Sequence, residues 1–158
     1  MNSYLDTSAL LKAYVIEAGS QEFAAWLGQF MARGTSEFTR LEMVASFGRL
    51  ARGGGITEEE AEAGINAFLA YWPHLYRLPL SRSLRAEAEA VAWTYRLKTA
   101  DCIHLATALR WQTLLNEPVT LATFDRELWN AAGAAGLQVW PDDLAPFLGR
   151  PHLPAPSP

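Results

Sequence analysis

The sequence predicts an α/β protein built on a central, mainly parallel sheet with helices on both faces. Three observations carry that expectation. Short apolar strand candidates alternate with helical patterns from one end to the other. The first of them, ending at Tyr4-Leu5, enters a helix through almost no loop, as a βα unit does. Acids recur near helix starts, where the carboxyl edge of such a sheet would gather them.

Taken in order, residues 2–5 form a short buried strand that Asp6 closes, and Thr7 or Ser8 caps a helix through Leu10, Leu11, Ala13 and Tyr14. Glu17-Ala18-Gly19-Ser20 breaks the chain before a helix over 21–32, which Arg33-Gly34 ends. Residues 35–38 are a weak strand candidate. Thr39 opens a helix reaching about Arg52, apolar at Leu41, Val44, Ala45, Phe47 and Leu50, and Gly53-Gly54-Gly55 stops it. Thr57-Glu58-Glu59-Glu60 reads as a capping box. The helix it starts carries Ala61, Ile65, Phe68, Leu69 and Trp72 as a stripe, and Pro73 closes it. Residues 75–80 are a strand interrupted by Pro79. A helix over 84–95 and a link over 96–99 lead to another helix over 100–109. Residues 119–123 are the clearest later strand, and Phe124-Asp125-Arg126-Glu127-Leu128 starts a helix that Gly133 and Gly136 end. Residues 137–140 form the last strand. Residues 1–148 are expected to make one domain, and four prolines in 149–158 predict a disordered tail.

Composition narrows the classes. At 158 residues, half of them hydrophobic, the chain can bury one full core. No apolar run approaches the roughly 20 residues of a membrane span, and no basic, then apolar leader opens the sequence, so a cytoplasmic protein is expected. The single cysteine, Cys102, cannot close an internal disulfide, which fits a reducing compartment. A net charge of −4 argues against broad electrostatic binding of nucleic acid. A local basic track remains, because Arg49 returns to the helix face of Glu42 after seven residues.

Four acids share one placement. Asp6 and Asp125 follow strand ends, while Glu42 and Asp101 occupy first helical turns. Each has a plain structural alternative: Asp6 as a helix-start residue that gains from the macrodipole, Asp125 as a cap, Asp101 as a dipole partner, and Glu42 as the return arm of a capping box from Thr39. Together they would crowd like charges at one edge, which raises carboxyl pKa values unless cations intervene. Oxygen ligands suit Mg²⁺ or Mn²⁺, and the chain lacks Cys/His spacing for zinc. Such a nest suits phosphodiester hydrolysis.

Four segments then carry a resemblance: Tyr4-Leu5-Asp6-Thr7-Ser8-Ala9-Leu10, Thr39-Arg40-Leu41-Glu42, Thr99-Ala100-Asp101-Cys102-Ile103-His104-Leu105-Ala106 and Thr123-Phe124-Asp125-Arg126-Glu127-Leu128. In that order the chain resembles PIN-domain ribonucleases, and among them the VapC toxins of type II toxin–antitoxin pairs. The resemblance implies a three-layer α/β/α fold, a Mg²⁺- or Mn²⁺-dependent endoribonuclease acting on RNA, a homodimer, and a cognate VapB-type antitoxin. It makes Asp6, Glu42, Asp101 and Asp125 the catalytic, metal-holding acids, with Thr7, Ser8 and Thr123 as supporting hydroxyls. Arg49 and Lys98 are candidates for substrate phosphate. Tyr95 and Lys98 stand where many relatives carry His and Arg, which leaves substrate contacts in that link open. A non-toxin PIN nuclease in RNA processing, or an inactive PIN-like binding module, are the alternatives.

Other sites are weaker. Cys102 and His104 point about 200° apart on a helix and cannot act as a pair. Cys102 is expected as a small buried residue and His104 as a packing histidine, although His104 follows Asp101 by three positions. Trp72, Trp93 and Trp111 are expected in core or interface. An aspartyl-phosphate phosphatase would want a second Asp where Ser8 stands, and an adhesion-type metal site a Ser where Leu10 stands.

Overall fold

The computed structural model describes residues 2–148, so the tail expected over 149–158 lies outside the described residues. Its strands are β1 (Asn2–Leu5), β2 (Ala32–Ser36), β3 (Tyr76–Leu78), β4 (Val119–Ala122) and β5 (Gln138–Trp140). All pair in parallel, in the order β3-β2-β1-β4-β5. The helices are α1 (Thr7–Leu11), α2 (Ser20–Leu27), α3 (Thr39–Arg52), α4 (Glu58–Tyr71), α5 (Arg82–Tyr95), α6 (Thr99–Leu115) and α7 (Arg126–Ala134). Short 3₁₀ turns lie at Trp72–His74 and Ala145–Phe147.

β1 is central and buried at every position, the environment of a middle strand covered on both faces. The chain winds from it through β2 to β3 on one side, then crosses to β4 and β5 on the other. That reversal puts a topological switch point between the carboxyl ends of β1 and β4, where open parallel sheets leave a crevice for ligands. Alternation along the strand sorts the two cores. Tyr4 packs with Leu84, Leu105 and Leu128 of α5, α6 and α7, whereas Leu5 packs with Leu10, Phe23, Phe47 and Phe68 of α1 to α4. The three-layer α/β/α architecture follows.

Several boundaries differ from the sequence expectation, and α1 already ends at Leu11 rather than running through Tyr14. α2 ends at Leu27 rather than near residue 32, and β2 spans Ala32–Ser36 instead of 35–38. Tertiary packing overrides the weak local signal here. A Cβ on Gly34 would stand 2.8 Å from Nε1 of Trp111, so the missing side chain at Gly34 lets the Trp111 ring of α6 lie close on the sheet. α6 itself continues past residue 109 to Leu115, and β3 stops at Leu78 just before Pro79. Trp72 and Trp111 are buried, but Trp93 is 88% exposed and joins neither core of the described residues. Among the described residues no helix is long and apolar enough to cross a membrane.

Candidate active site

Asp6 leaves β1 in an extended conformation and is itself the N-cap of α1, in place of Thr7 or Ser8. Its Oδ2 accepts from the Ser8 hydroxyl at 2.6 Å, the Thr123 hydroxyl at 2.8 Å and the Ser8 amide at 3.3 Å. Ser8 Oγ also accepts the Phe124 amide at 2.8 Å, so the starts of the β1 and β4 exits are tied together. Asp125 caps α7 in the same manner, its Oδ1 accepting the amides of Glu127 at 2.8 Å and Leu128 at 3.1 Å. Capping therefore occupies one oxygen of each of these acids and does not account for the other.

Glu42 is no part of a capping box. The N-cap of α3 is Phe38, without a side-chain cap bond, and the Thr39 hydroxyl pairs with that of Thr35 at 2.8 Å. Glu42 Oε2 instead accepts from the Thr7 hydroxyl at 2.7 Å and from Nε2 of His104 at 2.6 Å. Burial pushes the Glu42 carboxyl up, but the hydrogen bond and charge of His104, with Thr7 and Arg49, outweigh it and hold the group below its ordinary value.

Asp101 lies in the first turn of α6, only 9% exposed, and its Oδ2 is buried with no hydrogen-bond partner among the described residues. Burial first, then the Asp125 and Asp6 carboxylates, raise it to about 6. Carboxylate oxygens of Asp101, Asp125 and Glu127 lie within 4.8 Å of one another. Glu127 thus joins the cluster, a residue the sequence reading passes over although it stands two positions after Asp125. Lys98, exposed at the N-terminus of α6, approaches Glu127 at 3.6 Å, and its pKa is raised by Glu127, Asp125 and Asp101.

The four acids therefore gather as two halves. Asp101 and Asp125 meet with Glu127, while Asp6 and Glu42 lie on either side of His104, whose Nε2 is 3.3 Å from Asp6 Oδ1. The structure corrects the expectation for His104: it is fully packed, at 1% exposed, and at the same time sits inside the site. Burial pushes its imidazole down, but Asp6, Glu42 and Asp101 outweigh that and raise it. Arg49 is exposed and donates to Ser46 at 2.7 Å, a turn or more beyond Glu42. Cys102 is buried and free, its thiol against the Leu97 carbonyl, as expected.

One regularity decides what the cluster is fit to do. Among the described residues, Asp6, Glu42 and Asp125 are each hydrogen-bonded through a single oxygen, Oδ2, Oε2 and Oδ1 respectively, with Asp6 Oδ1 also 3.3 Å from His104 Nε2, and the buried Oδ2 of Asp101 has no partner. Orphaned carboxylate oxygens around one crevice carry a net attraction for a cation and a penalty without one. The three groups that converge, Asp101, Asp125 and Glu127, are all carboxylates, a donor set that suits a hard divalent ion better than a softer one.

Comparison with known proteins agrees with this geometry. The PIN domain family model matches residues 3–134. The chain is 30% identical to Ribonuclease VapC45 of Mycobacterium tuberculosis over 144 residues, covering 90% of this chain and 97% of that protein. Among solved structures it resembles FitAcB from Neisseria gonorrhoeae with a TM-score of 0.64 at 19% identity, over 87% of this chain and 95% of that one. It also resembles a toxin–antitoxin complex from Klebsiella pneumoniae, with a TM-score of 0.54 at 18% identity, over 75% of this chain and 84% of the other. With a parallel sheet in this order, acids at its switch point and a family match over most of its length, the chain belongs to the PIN-domain family, in its VapC branch.

Proposed function

We propose that this protein is a metal-dependent endoribonuclease, with Mg²⁺ or Mn²⁺ as the ion, and the toxin of a toxin–antitoxin pair. The observation that carries it is the set of acids at the switch point, with Asp101 Oδ2 buried and unpartnered among the described residues. Asp101 and Asp125 would hold the ion from one half of the site, and Asp6 and Glu42 would complete the shell from the other. When bound, such an ion neutralises charge on a phosphodiester and acidifies water for in-line attack. The chain's own residues do the aiming. Ser8 and Thr123 fix Asp6 by Oδ2, while its Oδ1 lies 3.3 Å from Nε2 of His104. Thr7 holds Glu42 by Oε2. Lys98, exposed at the rim, offers its ammonium to a substrate phosphate, and Arg49 a second cation further along α3. The products would carry a 5′-phosphate and a 3′-hydroxyl. VapC45 is named a ribonuclease, and RNA as substrate comes to this chain by that kinship. The same reading makes the chain a homodimer that pairs with a VapB-type antitoxin and acts in the cytoplasm, and the solved toxin–antitoxin complex it resembles supports the antitoxin partner.

The test uses the purified full chain and an RNA oligonucleotide. Cleavage with Mg²⁺ or Mn²⁺ and none with chelator is expected, and Asp101→Asn should lower the rate at least about a hundredfold, more than loss of an outer partner would. RNA binding without cleavage by the wild type would make the chain an inactive PIN-like module. Expressed alone it should slow growth, and a small adjacent gene should relieve it; no toxicity would leave a non-toxin nuclease.

A further inference from the structure

We propose that His104 is a positioning residue that aims Glu42 into the site, working through a buried line from Tyr4 to His104 to Glu42. The inference rests on the four acids forming a metal centre, and it adds a residue that the acids alone do not name. Tyr4 is buried at 0% exposure in the central strand, so its hydroxyl is fixed in place. That hydroxyl lies 2.8 Å from Nδ1 of His104, with the two rings edge-on at 5.9 Å. At the other end of the ring, Nε2 meets Glu42 Oε2 at 2.6 Å. A carboxylate oxygen only accepts, so Nε2 carries the proton whichever charge the ring bears. The ring cannot turn over without taking Nδ1 from Tyr4 and the Nε2 proton from Glu42.

The direction of aim follows. Both bonds to Glu42 fall on Oε2, from His104 and from Thr7, and the same Nε2 lies 3.3 Å from Asp6 Oδ1. Glu42 is thereby held near Asp6 with Oε1 left for a cation, although α3 and β1 are not neighbours in sequence. Asp101 and His104, three residues apart, project from neighbouring turns of one helix face, so α6 supplies an acid to one half of the site and the strut for the other. Histidines and carboxylates that orient metal-site ligands in this way are worth about 10 to 100-fold in metal affinity.

The test is Mn²⁺ binding by titration calorimetry on the full chain, with melting temperature read alongside. His104→Ala should weaken Mn²⁺ binding about tenfold or more. His104→Gln, whose amide reaches Oε2 from nearly the same place, should recover most of it, and Tyr4→Phe should show a smaller loss in the same direction. The deciding measurement is a double-mutant cycle. In a Glu42→Ala background, His104→Ala should cost no further affinity, because its target is gone. Additive losses, or wild-type affinity in His104→Ala, would overturn the proposal while leaving the metal centre standing. Asp101→Asn separates the two: if that variant binds Mn²⁺ as the wild type does, the centre and the inference fall together. Should His104→Ala fail to fold, the Gln and Phe variants decide, and equal affinity in both and in the wild type overturns the role.

Discussion

Asp101 is the acid whose surroundings satisfy it least. Among the described residues its Oδ2 has no partner, and burial first, then the like charges of Asp125 and Asp6, make the native state hold its proton up to about pH 6. An unfolded Asp releases it near 4. Between those values the folded chain binds more protons than the unfolded one, so stability contributed by this group falls as pH rises from about 4 to about 6 and stays lost above. Asp101→Asn removes that dependence. The metal-free variant is expected to melt higher than the wild type at pH 7, with the difference vanishing below pH 4, as followed by thermal unfolding across pH. Identical pH slopes in the two proteins would refute it. Binding needs the carboxylate, so the opposite order should hold for Mn²⁺ affinity in the wild type, which weakens as pH drops through 6.

Elements fix where those side chains stand, and here the close approach of β2 and α6 matters most. Gly34→Ala would bring a methyl to 2.8 Å from Trp111 Nε1 and 2.9 Å from Cε2, both part of a rigid ring buried against the sheet. Overpacking of this kind costs about 1 to 3 kcal/mol. The variant should unfold at lower denaturant with an unchanged slope; wild-type stability would show that the ring gives way freely. The same contact explains what was legible in the sequence. The βα opening, the Thr57 capping box and the strand over 119–122 are written in neighbouring residues, and so are Asp6 and Asp125 as strand-end acids. At Gly34, β2 meets a tryptophan far downstream, and the roles of Glu42 and His104 rest on a bond spanning 62 positions. No local period carries such information. Glu127 is hidden for another reason: two positions from a capping Asp, it reads as an ordinary acid of a first helical turn.

At the scale of the whole molecule, the acids divide between the two cores. Asp6 and Glu42 begin α1 and α3, which pack on the face of Leu5, whereas Asp101 and Asp125 begin α6 and α7 on the face of Tyr4. The layers already touch across the switch point through Thr123 with Asp6 and through His104 with Glu42. A cation shared by both pairs would add a further tie and relieve repulsion between them. Ion binding is then folding free energy. At one hundred times its dissociation constant, Mn²⁺ should stabilise the native chain by about 2.7 kcal/mol, roughly 5 to 10 °C for a chain of this size. Chelator should reverse the shift, and Asp101→Asn should abolish it. A shift of equal size in that variant would mean that the ion binds elsewhere on a surface of net charge −4. No shift in the wild type would mean that the two halves never close on a common ion.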